Sequence, residues 1–233
     1  MAGRRPLLIV SALAAALLCN YWVLEGVFAD RTNFDASWIS DLSTRSEGSG
    51  AIFVALGVAS GLAVAAYALV LLAGPLGAHR PWLRRGLQAL LAAGALIVLA
   101  SAAPLSCAEG LEASCELKED GLDVVHALAT GGEIIATTLA FALVGHGLRR
   151  AKRLSPSGLQ TSGLLRSVGA LTLVLGAVWL GLTIGTGVSY LSEGVDGVKG
   201  ALQRADQLIF GGWLLALAWA AARDPGGATD DGG

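Results

Sequence analysis

The sequence predicts an all-α polytopic membrane protein, an antiparallel bundle of six transmembrane helices, and three observations lead there. Six apolar runs, Pro6–Phe28, Ala51–Ala73, Gly86–Ser106, Val124–Gly147, Ser167–Leu191 and Ala205–Ala222, are each about 18–25 residues long, and about 20 helical residues cross a bilayer's hydrocarbon core. None of them alternates apolar with polar residues, as a membrane strand of about 10 residues would. Helices satisfy their own backbone hydrogen bonds and so suit a medium without water. The loops between the runs alternate in charge, basic then acidic, as the two sides of a membrane require.

Arg4 and Arg5 precede the first run, His79, Arg80, Arg84 and Arg85 lie around the second connection, and Arg149, Arg150, Lys152, Arg153 and Arg166 around the fourth. Basic residues are retained in the cytoplasm, so these segments are expected there, with both termini. The other loops carry Asp30, Asp35, Asp41 and Glu47, then Glu109, Glu112, Glu116, Glu119, Asp120 and Asp123, then Glu193 and Asp196. Arg31, Arg45, Lys118, Lys199 and Arg204 run against this bias without cancelling it. The expected location is a cell membrane, multi-pass, with residues 1–222 as one membrane domain. The tail, 223–233, is rich in Gly and Asp and is expected to be disordered and cytoplasmic. A net charge of −2 says little when the charges are segregated by side. The short basic clusters serve as juxtamembrane anchors, so no nucleic-acid partner is expected.

The first run resembles a signal peptide in its basic start and its Val27-Phe28-Ala29 segment. Its apolar body is long for a signal core, so it is read as an uncleaved helix, with Cys19 a small packing residue. In the loop that follows, Trp38, Ile39 and Leu42 have i, i+1, i+4 spacing, the apolar face of a short interfacial helix. Such a helix would rest on the membrane as a lid; the alternative turns Ser40, Asp41 and Arg45 into the bundle mouth. Gly57 with Gly61, and Gly181 with Gly185, are small-residue pairs that let helices approach closely. Cys107 and Cys115 share an outer loop, where a disulfide is permitted. A bridge there contributes about 2–3 kcal/mol through chain entropy. Two cysteines without a nearby histidine make a poor zinc set, and no metal is expected.

The fourth run carries His126, Thr130, Glu133 and Thr137 at four-three-four spacing, one helical face. Glu133 lies about 15 Å along the helix from the outer end, near the bilayer centre. An ionisable residue at that depth is functional by default and is expected to face the bundle interior. Its structural alternative is a hydrogen bond to a neighbouring hydroxyl. Thr172, Gly176, Trp179, Thr183, Thr186 and Tyr190 form a similar stripe on the fifth run, which helix packing explains. Asn20 and Glu25 on the first run, and Gln203, Arg204, Asp206 and Gln207 on the sixth, cluster at the outer ends. Arg204 can snorkel to headgroups or pair with Glu25, Asp41 or Asp123. With His126 these residues outline an outward-facing polar vestibule, whose binding residues would be Ser40, Asp41, His126, Arg204 and Glu25.

Trp38-Ile39-Ser40-Asp41-Leu42-Ser43, Pro104 with its short loop, His126, and Gly200-Ala201-Leu202-Gln203-Arg204 give the chain a resemblance. It resembles the six-helix membrane family catalogued as domain of unknown function 998. That family has an Ile-Ser-(Glu/Asp)-Leu-Gly type of segment at the first site, where Ser43 stands in place of glycine. The resemblance implies six helices over nearly the whole chain and no reaction.

Three functions compete. The first is a lipid-associated or accessory scaffold protein without cofactor, whose vestibule recognises a membrane lipid headgroup or another membrane protein. The second is an intramembrane hydrolase acting on a lipid, with His126 working beside Asp41, Ser40 or Glu133. His79 and His146 are expected at the opposite side, which leaves His126 alone and disfavours zinc or haem. The third is a transporter using Glu133 as a proton site. It ranks last because no inverted repeat or broken helix is evident in the sequence.

Overall fold

The computed structural model describes residues 4–29, 35, 37–74, 80–108, 115, 121–150, 159–191 and 198–223. Apart from Arg223, the expected tail disorder falls on residues outside that set, as do most of the acidic loop residues and His79, Lys152 and Arg153. Seven α-helices and no strand occur among the described residues. They are α1 (Arg4–Cys19), α2 (Glu25–Phe28), α3 (Gly50–Leu72), α4 (Pro81–Ala102), α5 (Gly121–Arg149), α6 (Leu159–Leu191) and α7 (Lys199–Ala222). Five of them are long and apolar enough to cross a membrane alone. The sixth span is the broken pair formed by α1 with Tyr21–Phe28. The protein is a multi-pass helical membrane bundle.

Each long helix packs on its neighbour in the chain, and α7 returns to α1, so the six spans close into a ring. Close approach depends on glycine at several crossings. A Cβ on Gly61 would lie 2.6 Å from the Gly94 carbonyl, where α3 meets α4, and one on Gly145 would lie 3.0 Å from the Gly169 carbonyl between α5 and α6. Gly57 likewise meets the Ser101 side chain. The expected Gly181–Gly185 contact is corrected: Gly181 faces open space, and Gly185 meets only Leu202 at 3.6 Å. On α6 it is Gly169, against Arg149, and Gly176, against Phe141, that touch a neighbour.

One half of the ring interior is aromatic. The Phe141 ring on α5 stacks on Trp213 of α7 at 4.1 Å, with Trp179 of α6 at 5.9 Å and Phe210 at 6.4 Å. Trp213 donates its indole N–H to Thr172 Oγ1, and Tyr67 donates to the Leu214 carbonyl. Buried indole and phenol groups need such partners where water is excluded. Apolar side chains such as Leu17, Leu128, Ile135 and Val174 face outward, the inverse of a water-soluble protein and the arrangement lipid favours. Trp82 and Trp219, half-exposed near the basic ends, carry Arg85 and Arg223 over their rings at 5.5 and 4.3 Å, as interfacial anchors do.

The first span departs from the continuous helix expected. α1 stops at Cys19; Asn20 leaves the helical region at φ −105°, ψ 28°; a 3-10 turn, Tyr21–Leu24, leads into α2. The two parts are bent by 57°. Asn20 explains the break: its amide donates to the Ala16 carbonyl at 2.9 Å and its carbonyl oxygen accepts from Trp22 Nε1 at 3.2 Å. A short polar side chain that bonds the preceding turn competes with the helix ladder.

Candidate functional site

The mouth of the bundle is closed by a folded cap, residues 37–49. Its centre is a 3-10 turn, Ser40–Ser43, in which Asp41 Oδ2 accepts the Trp38 amide at 2.7 Å. Asp41 is fully buried, and Ile39 and Leu42 are buried with it. This corrects the expectation of an apolar face lying on the membrane: the apolar side chains pack into the protein. Ser40 is half-buried, and Arg45 and Ser46 stay exposed. Asp41 therefore turns inward and Arg45 outward.

α7 and α2 fasten the cap from one side. Arg204 Nε and Nη2 donate to the two Glu25 carboxylate oxygens at 3.2 and 2.5 Å, and Nη1 donates to the Ser37 carbonyl at 2.9 Å. Arg204 is 1% exposed, with Trp22 5.9 Å below its guanidinium. A planar fork matches a carboxylate in two bonds at once, which a lysine cannot do. The bend at Asn20 is what brings Glu25 to this arginine. The Gln203 side chain accepts the Ile39 amide at 2.6 Å, the Gly200 amide donates to the Asp35 carbonyl at 2.8 Å, and Lys199 sits 5.6 Å over Trp38.

A second clasp holds the other side. Asp123, at the start of α5, accepts from the Ser106 amide and hydroxyl, both at 2.9 Å, and pairs with Arg45 at 3.6 Å. The Arg45 amide reaches the Leu105 carbonyl at 2.9 Å. His126, one turn deeper, points Nδ1 at the carbonyls of Ala100 and Ala103, at 2.9 and 3.1 Å. Both partners are acceptors, so Nδ1 carries the proton. The ring makes no other hydrogen bond among the described residues. Beside this clasp Cys107 and Cys115 are joined in a disulfide, with Cα atoms 5.7 Å apart.

The five vestibule residues thus fall into three settings: a closed Glu25–Arg204 pair, an Asp41-capped turn bearing Ser40, and His126 of α5 held against the end of α4. Of the intramembrane residues, Thr137 is fully buried and donates to Glu133 Oε1 at 3.1 Å, while Thr130 is half-buried. Glu133 lies within range of the charge of Cys19 on α1 and Asp206 on α7, neither of them a neighbour of α5 in the ring. The sequence alone groups Asp206 with the mouth. Its spacing with Phe210 and Trp213, i, i+4, i+7, was the available signal that it faces inward.

The family described as Protein of unknown function (DUF998) matches residues 9–224. The chain belongs to the DUF998 family. No curated protein and no solved structure matches it. Membership of DUF998 agrees with a helical membrane protein and brings no reaction, ligand or partner.

Proposed function

We propose that this DUF998 protein is a lipid-associated membrane protein that recognises a polar, anionic headgroup at the cap, or docks a partner membrane protein's polar segment there, without chemistry of its own. One observation supports it above the others: the cap is braced from beneath by the buried Glu25–Arg204 pair while Arg45, 38% exposed, and Ser40 remain at its surface. A rigid base under exposed donors is the preorganisation a binding surface needs. Arg204 acts as the brace, and Arg45 meets the ligand. In this reading the cap faces outward and both termini face the cytoplasm, following the loop charges.

The hydrolase reading requires a base within hydrogen-bonding reach of a nucleophile or water. His126 Nδ1 is engaged with two backbone carbonyls, and none of Asp41, Ser40 and Glu133 bonds the ring, which weighs toward binding. Mass spectrometry of lipids retained after purification in mild detergent tests the reading. An anionic lipid should be retained, and Arg45→Ala should reduce it. Retention of no lipid class above its membrane abundance counts against the proposal. So does turnover of a lipid ester or amide panel that His126→Ala abolishes.

A further inference from the structure

Beneath the cap the ring holds two carboxylates that the headgroup reading does not use. Glu133 comes from α5 and Asp206 from α7, two helices joined by the Phe141–Phe210 and Phe141–Trp213 ring contacts; both carboxylates lie on the mouth side of those contacts, within range of each other's charge. Asp206 is 6% exposed, and its Oδ1 has no hydrogen-bond partner among the described residues. Among the described residues Glu133 accepts only from Thr137. Neither has a basic partner among the described residues. A buried acceptor left open is costly, and two acidic groups within range of each other in a low-dielectric bundle more so. Such a pair persists where something positive or proton-bearing completes it.

The surroundings narrow the chemistry. Glu133, Thr137 and Phe141 follow one face of α5 inward; Asp206, Phe210 and Trp213 do so on α7. On α6, which runs the opposite way, Thr183 precedes Trp179 in the same direction. All three helices therefore place the polar groups on the mouth side of one aromatic layer, Phe141, Trp179, Phe210 and Trp213. The Thr183 hydroxyl lies within hydrogen-bonding reach of the Asp206 carboxylate and of the Trp179 carbonyl, at 3.0 Å, and its oxygen keeps a lone pair that can accept. Acceptors above an aromatic floor fit a group with several N–H donors and an apolar stem. Among the described residues no three His, Cys, Asp or Glu side chains gather as metal ligands do.

We propose that Glu133, Asp206 and Thr183 form an intramembrane binding site for a primary ammonium group. The ammonium donates to both carboxylates and the threonine oxygen, and its carbon stem lies toward Phe210 and Trp213. The group belongs either to a free amine or to the aminoethyl headgroup of a lipid. The site is separate from Arg45 and the cap, so either proposal can fail without the other.

The test uses the full chain in phosphatidylcholine nanodiscs, titrated calorimetrically with n-butylammonium chloride, with n-butanol and sodium chloride as controls. Saturable binding of butylammonium alone is expected, weakened by about tenfold or more in Asp206→Asn and in Glu133→Gln, since a charged hydrogen-bonded contact is lost. Phe210→Leu, which keeps both carboxylates, should weaken it several-fold. Native mass spectrometry from phosphatidylethanolamine nanodiscs identifies the source: enrichment of that lipid, lost in Asp206→Asn, assigns the site to the headgroup, and butylammonium binding without enrichment assigns it to a free amine. The wild-type readings stand even if a variant does not fold. Absence of both butylammonium binding and lipid enrichment in the wild type would overturn the site, as would displacement of the amine by equimolar sodium. Binding unchanged in both carboxylate variants would do the same.

Discussion

Arg204 decides more of the mouth than any other side chain, because all three of its donor nitrogens are engaged below the surface, with Glu25 and with the Ser37 carbonyl. Removing one member of a buried pair leaves the other charged and unpartnered, which costs about 3–5 kcal/mol, whereas replacing both with apolar groups is close to neutral. Arg204→Leu should therefore destabilise the protein by about that amount, and Glu25→Leu with Arg204→Leu should recover most of it. Thermal unfolding in detergent, followed by circular dichroism, measures both; equal loss in the single and double variants would show that the pair does not brace the cap. The sequence offered Glu25, Asp41 and Asp123 as equal partners for this arginine. It could not choose, because the choice depends on a backbone bend set by Asn20. His126 was similarly underdetermined: its helical face was legible, but its partners are α4 carbonyls, which no side-chain pattern encodes.

At the scale of elements, the ring relies on glycine where helices cross and on an interrupted helix where the cap must be reached. The long runs were legible from hydropathy because each is dictated locally. The break in the first was not, since Asn20 ends α1 through a side-chain bond to Ala16 that a window of apolar residues averages away. Small-residue spacing was informative only in part. Gly61 meets Gly94 across α3 and α4, yet Gly181 meets nothing, because spacing shows that two residues share a face without showing what the face meets. Gly61→Leu should force these backbones apart and destabilise by about 1–3 kcal/mol, the range for overpacking. Gly181→Leu should change stability by less than about 0.5 kcal/mol, as substitutions away from packed features do. The same unfolding assay compares them, and equal effects would contradict the assigned crossings.

Across the whole molecule, polar and apolar functions are layered along the membrane normal. The cap seals one end, the acidic pair lies beneath it, the aromatic layer follows, and tryptophans carrying arginines mark the far end. This order arises from side chains on separate helices. The sequence carried the membership of each stripe but not the meeting of Glu133 with Asp206, which requires ring closure by α7 on α1. Orientation follows from a different physics, the retention of basic segments in the cytoplasm. The expected arrangement therefore has the cap outside. Arg45, exposed on the cap, and Arg223, at the end of α7, sit at opposite ends of the bundle and report the two sides. With a membrane-impermeant thiol reagent on intact cells, Arg45→Cys should label strongly, and Arg223→Cys should label only after permeabilisation. Endogenous Cys19 is buried, and Cys107 and Cys115 are bridged, so the background should be low. The reverse pattern would invert the protein in the membrane. It would leave the fold and the ammonium site intact while moving the proposed headgroup surface to the cytoplasmic leaflet, where anionic lipids would still meet Arg45.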